Sequence, residues 1–158
     1  MVYLIDDDAA VRDSLGLLLE QAQFKVQAYA SAEEFLAAEP DAPAACAVVD
    51  LMMPGISGLE LQEEMDRRGI AMPVIFLTGH GDIPTSVKAI KAGAVDFLTK
   101  PVKRAELLEA IEHARRAEVA ASSRRHRMRT MLAGVGLGLA LFGATSYLYL
   151  GVIRPQQE

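Results

Sequence analysis

Asp6 and Asp7 end the first apolar run of this chain, Asp50 ends the third, Thr78 the fourth and Lys100-Pro101 the fifth. Three carboxylates gathered at one point repel each other, so an ionised cluster needs a cation to be tolerable. An all-oxygen donor set suits Mg2+, which demands octahedral geometry, keeps several waters and pairs readily with phosphate oxygens. With a hydroxyl and an ammonium group in the same place, these residue types point to phosphoryl chemistry on a carboxylate.

The elements that would have to position them follow from the apolar patterning. Val2 to Ile5, Phe24 to Ala28, Ala45 to Val49, Pro73 to Leu77 and Val95 to Leu98 are short apolar runs that read as buried parallel strands. Helical patterns lie between and after them, over Ala9 to Gln23, Ser31 to Ala38, Ser57 to Arg68, Ile83 to Ala92 and from Lys103 onward. Ser31 with Glu34 three residues on reads as a capping box, and Gly69 and Gly93 stand where helices close with a left-handed residue. Five alternations of strand and helix predict a doubly wound α/β domain with a five-stranded parallel sheet. In such a sheet the carboxyl ends of the strands line one crevice, so the four features would converge there. About 120 residues is enough to bury a core in one domain.

On these residues the chain resembles the receiver domain of bacterial two-component response regulators, over residues 1 to about 120. The resemblance is carried by IDDD at Ile5 to Asp8, VVDLMMPGISGLEL at Val48 to Leu61 and IFLTGHGDIPTSVKAIKAGAVDFLTKP at Ile75 to Pro101. The last stretch is most similar to the FixJ type. The resemblance implies a flavodoxin-like fold in which Asp50 accepts a phosphoryl group from a histidine kinase, a phosphotransfer protein or a small phosphodonor. It implies Mg2+ held by Asp6, Asp7, Asp50 and the main-chain carbonyl of Met52. Lys100 would neutralise a phosphoryl oxygen across a cis Lys100-Pro101 bond, and Thr78 would donate its hydroxyl while Phe97 turns inward as the switch. Met52 and His80 occupy the positions that tune acyl-phosphate lifetime in the family. Asp8 is left outside the metal site, as the cap of the first helix.

The remainder of the chain reads differently. Thr130 to Ile153 is a run of 24 residues without an acid, Lys, Arg or His. As a helix it would be about 36 Å long, against about 30 Å of bilayer hydrocarbon. Residues 113 to 129 hold six arginines against Glu118, while only Arg154 lies beyond the run. This asymmetry predicts a single-pass segment with the receiver on the cytoplasmic side of the inner membrane. The expected organisation is a receiver over 1–120, a basic juxtamembrane linker over 121–129, a transmembrane helix over 130–153 and a short tail over 154–158. Gly134 and Gly138 form a GxxxG pair that permits homodimerisation.

The net charge of −5 conceals a division, because residues 1–112 hold nine basic against nineteen acidic side chains. An arginine run can indicate nucleic acid, but beside an apolar 24-mer it favours anionic lipid. FixJ-type regulators follow the receiver with a helix-turn-helix domain; no such pattern follows here, and no direct DNA binding is expected. Cys46, the single cysteine, provides no disulfide and fits a reducing compartment. The expected function is a phospho-accepting, non-enzymatic receiver that switches a protein-interaction surface for a downstream partner at the membrane. The alternatives are a phosphate sink, a constitutive membrane-anchored interaction module and, least favoured, an aspartyl-phosphate phosphohydrolase. The haloacid-dehalogenase pattern would place an acid two residues past the nucleophile, where Met52 stands.

Overall fold

A computed structural model describes residues 1–40, 46–79 and 93–152, with side chains described as far as residue 131 except at 125, 126 and 129. Strands β1 (Val2–Ile5), β2 (Val26–Tyr29), β3 (Cys46–Asp50), β4 (Val74–Thr78) and β5 (Asp96–Thr99) form one parallel sheet. Their order is β2-β1-β3-β4-β5. The helices are α1 (Ala9–Gln21), α2 (Ala32–Ala37), α3 (Gly58–Arg68) and α4 (Arg104–Val152).

The sheet has a core on each face, because alternate strand residues point to opposite sides. Tyr3, Ile5, Val49 and Phe76 pack with Phe35 and Leu36 of α2 and Leu61 and Met65 of α3. Val2, Leu4, Val48, Ile75 and Leu77 pack with Leu15 and Leu19 of α1 and Leu107, Ile111 and Ala114 of α4. The central strands β1, β3 and β4 are buried along their whole length. β2 is half exposed and β5 has only Leu98 buried, which corrects the expectation of five buried strands. β2 pairs only with β1 and forms an edge, so one side of its ladder faces outward.

Local signals set the boundaries. Asp8 caps α1 by accepting the Ala10 N–H at 2.9 Å. Ser31 accepts the Glu34 N–H at 3.1 Å, but the Glu34 carboxylate reaches back to the Ala30 N–H rather than to that of Ser31. The full reciprocal box is at Ser57 and Glu60 instead, a pair that the sequence reading passed over. Gly69 closes α3 at φ 72°, in the left-handed region where glycine is favoured. The helix expected over Ile83 to Ala92 and residue His80 lie outside the described residues.

The chain divides into two compact units, Met1–Val119 and Ala120–Glu158. Among the described residues no helix is long and apolar enough to cross a membrane. The expected span from Thr130 to Ile153 lies, after its first two residues, outside those whose side chains are described.

Cys46 opens β3 and is 2 % exposed. Burial pushes its thiol up from 9.0 to about 11. The folded protein thus holds this proton to higher pH than the unfolded chain. Its contribution to stability is full below pH 9 and is lost as pH rises through about 11. At neutral pH, iodoacetamide is expected to label Cys46 in native protein about 100-fold or more slowly than in urea. Equal labelling rates would contradict the buried placement.

Candidate functional site

The topology reverses between β1 and β3: from β1 the chain crosses to one side to form β2, then returns past β1 to form β3. Crevices at such a switch point, beyond the carboxyl ends of the strands, are where open α/β sheets bind ligands. Ile5 pairs with Val49, and one step further along the two strands stand Asp6 and Asp50. Asp50 in turn pairs with Leu77, and Thr78 with Thr99, so the register steps across the sheet toward Lys100. Backbone pairing extends one residue beyond the apolar runs at β3 and β4, so Asp50 and Thr78 are held by the sheet itself and both are buried.

Asp6, Asp7 and Asp50 can each present one carboxylate oxygen such that all three atoms lie within 4.8 Å of one another. Asp6 and Asp50 are buried and Asp7 is exposed, so the cluster opens to solvent on one side. Lys100 Nζ lies 2.7 Å from Asp6 Oδ2 and 3.0 Å from Asp50 Oδ2. It donates a hydrogen bond to Asp50 and is ion-paired with Asp6 at the shorter distance. Burial pulls the Lys100 ammonium down, but its contacts with Asp6 and Asp50 outweigh this and hold it above the usual lysine range. Burial pushes the Asp50 carboxyl up, against the Lys100 and Met52 hydrogen bonds and with added repulsion from Asp6.

Among the described residues, one ammonium thus faces three carboxylates. That charge deficit and an all-oxygen donor set fit a hard divalent cation. The Met52 N–H donates to Asp50 Oδ1 at 3.1 Å, while Met52 itself is 65 % exposed. The Lys100-Pro101 bond is cis, and the Lys100 N–H donates to the Thr78 carbonyl at 2.8 Å. Phe97, paired with Phe76, is partly buried against the core of the α2 and α3 face.

Two features of the site were not read from the sequence. Arg12 Nη1 donates to the main-chain carbonyls of Asp6 at 2.7 Å and Asp7 at 3.0 Å, clamping the turn that carries both acids. Its signal was a cation near the amino end of α1, where it opposes the helix dipole unless it is engaged elsewhere. Gly58, the first residue of α3, leaves no room for a side chain. A Cβ there would lie 2.6 Å from the Asp50 carbonyl oxygen, 3.0 Å from Leu51 Cα and 3.1 Å from Phe76 Cε1. Two of these neighbours are backbone and cannot turn away. Gly58→Ala is therefore expected to cost about 1–3 kcal/mol and to slow phosphoryl transfer by displacing Asp50. A urea midpoint equal to that of the wild type would refute this.

This fold and site define the response regulator receiver domain, whose family model matches residues 2–112; the chain belongs to that family. It is 48 % identical over 123 residues to the transcriptional regulatory protein FixJ of Bradyrhizobium diazoefficiens, covering 77 % of this chain and 60 % of the relative. It is 45 % identical over 114 residues to the response regulator protein TodT of Pseudomonas putida, covering 72 % and 50 %. Among solved structures it is similar to FixJ-N, with a TM-score of 0.69 at 45 % identity over 73 % of this chain and 92 % of that one. The response regulator StyR gives a TM-score of 0.74 at 40 % identity, covering 82 % and 65 %. The chain spans about 60 % or less of the length of these two curated relatives.

Proposed function

We propose that this chain is a phospho-accepting receiver in which Asp50 takes a phosphoryl group from a phosphohistidine on a sensor kinase or phosphotransfer protein. The observation that carries the reading is Lys100 bridging Asp6 and Asp50 inside the three-carboxylate cluster. Asp6, Asp7, Asp50 and the Met52 carbonyl would hold Mg2+, which would supply charge neutralisation for the incoming phosphoryl oxygens. Asp50 Oδ attacks phosphorus, the bond to the donor nitrogen breaks, and the electron pair leaves with the donor. Positioning and electrostatics supply nearly all catalysis in such transfers. Lys100 then exchanges its Asp50 contact for a phosphoryl oxygen, and the Thr78 hydroxyl donates to another. Only contacts that differ between the two states can move the equilibrium, so Thr78 and Lys100 would bias Phe97 and the surface around β5 and α4. The test is incubation with a small phosphodonor and Mg2+, followed by intact mass. One phosphoryl group per chain, lost slowly, supports the reading; many turnovers per chain would indicate a hydrolase instead.

The second part of this proposal is that the chain is tethered to the inner membrane with the receiver in the cytoplasm. Its support is the sequence: the 24-residue apolar run and the arginines before it. Recovery of the full chain in the membrane pellet after alkaline carbonate extraction is the expected result. Release into the supernatant would refute the tether and leave the receiver reading intact.

A further inference from the structure

The loop leaving the acceptor strand is secured at both ends by bonds of its own. Near its start, the Met52 N–H donates to Asp50 Oδ1 at 3.1 Å. Near its end, the Gly58 N–H donates to the Leu51 carbonyl at 3.1 Å and the Ser57–Glu60 capping box begins α3. The middle is held from a different element. Glu33, in the first turn of α2, accepts the Ile56 N–H on Oε1 at 3.1 Å, across 23 residues of sequence.

The neighbouring residue is shaped to this contact. Gly55 has φ +76°, a conformation that side chains rarely adopt, and a Cβ there would lie 2.5 Å from Glu33 Oε1. The Glu33 carboxyl is held below its usual range, first by its own backbone N–H and then by that of Ile56. The anchor is itself firm, because Ala32 and Phe35 of α2 are fully buried. Adjacent Glu34 has a separate task, receiving the Ala30 N–H at the start of the helix.

We propose that Glu33 is a positioning residue for the acceptor loop, whose carboxylate, through the Ile56 N–H and against Gly55, fixes the segment that presents the Met52 carbonyl beside Asp50. The proposal rests on the metal reading given above and extends it to a residue outside the acidic cluster. Without this tether the Met52 to Ile56 stretch gains freedom, and a carbonyl that must be ordered on binding contributes less affinity. Glu33 is exposed, so the expected effect stands at the lower end of that known for groups that orient metal ligands.

The test compares full-length wild type, Glu33→Ala, Glu33→Gln and Glu34→Ala. Mg2+ affinity of the unphosphorylated protein is measured by calorimetry, and exchange of the Ile56 amide by NMR. Glu33→Ala is expected to weaken Mg2+ binding about tenfold and to speed Ile56 exchange by a similar factor. Phosphorylation by a small phosphodonor should need more Mg2+ to reach half its rate but return to the wild-type limit at saturation. Glu33→Gln keeps an acceptor oxygen and should stay close to wild type, and Glu34→Ala should lose helix stability with Mg2+ affinity unchanged. Equal Mg2+ affinity in Glu33→Ala and wild type, or an equal loss in Glu34→Ala, would overturn the proposal. A wild type that binds Mg2+ yet takes up no phosphoryl group would refute the acceptor reading while leaving the Glu33 comparison decisive. A wild type that binds no Mg2+ would overturn the metal reading and the proposal that rests on it, even if the exchange arm still revealed the tether.

Discussion

Asp50→Asn is expected to abolish phosphoryl uptake completely while making the metal-free protein more stable. The amide has no nucleophilic carboxylate oxygen, so the loss should be total. The gain in stability has a separate cause. Asp50 is buried beside Asp6 and within reach of Asp7, with one lysine serving the cluster among the described residues, and burial already disfavours its charged form. A neutral isostere removes one of the repelling charges and its oxygen can still accept from Lys100, at the cost of the Met52 N–H bond that Asp50 Oδ1 accepts. Asp6 keeps its own ion pair at 2.7 Å. The expected gain without Mg2+ is about 1 kcal/mol, or roughly 4 °C in Tm for a domain of this size. Added Mg2+ should stabilise the wild type more than the variant, because the variant retains two of the three carboxylates. Persisting phosphorylation at unit stoichiometry would locate the acceptor elsewhere. A drop in stability would mean that the Asp50 to Lys100 bond outweighs the repulsion.

Lys100→Ala is expected to have the opposite effect on the fold. The Asp6 side chain is fully buried and that of Asp50 is 8 % exposed, so both carboxylates would lose their shared cation inside the protein. Removing one partner of a fully buried pair costs roughly 3–5 kcal/mol. The Lys100 side chain is 26 % exposed, so water already screens part of the interaction, and we expect a loss of about 2 kcal/mol. The same cation deficit makes the defect repairable. At about a hundredfold excess over its Kd, a ligand that binds only the folded state adds roughly 2.7 kcal/mol, so Mg2+ should restore most of the lost stability. Phosphorylation should then proceed, with the switch proposed for Thr78 and Phe97 uncoupled from it. Denaturation with and without Mg2+ checks this, and a loss that Mg2+ leaves untouched would show that Lys100 supports the fold by packing instead of charge.

The strands were legible because a sheet buried on both faces leaves a run of apolar residues wherever it passes, and β1, β3 and β4 are such strands. Their carboxyl ends were harder to read. Asp50 and Thr78 are polar, so an apolar run stops before them, yet ladder hydrogen bonding carries them into β3 and β4. The two edge strands were read as fully buried, although Lys25 and Gln27 alternate with apolar residues along the β2 run as on a half-exposed strand; the edge positions of β2 and β5 depend on where the crossovers land. The capping box of α3 was not read, although the helical pattern was taken to begin at Ser57 and Glu60 stands at the right spacing. Asp8 was read as a helix cap from its place just ahead of α1, and its side chain accepts the Ala10 N–H there.

The sequence alone determined the alternation of strands and helices, the identity of the acids, hydroxyl and lysine at the strand ends, and the family resemblance. These are local matters: period, caps and the residue that follows each apolar run. Tertiary structure decided the order β2-β1-β3-β4-β5, which opens the crevice between β1 and β3. It also decided that Lys100 divides its charge between Asp6 and Asp50, that Arg12 clamps the carbonyls of the acidic pair, and that Glu33 reaches the loop beyond Asp50. Three of these contacts span more than 20 residues. Only the folded path of the chain brings such partners within hydrogen-bonding range, and no local period records it.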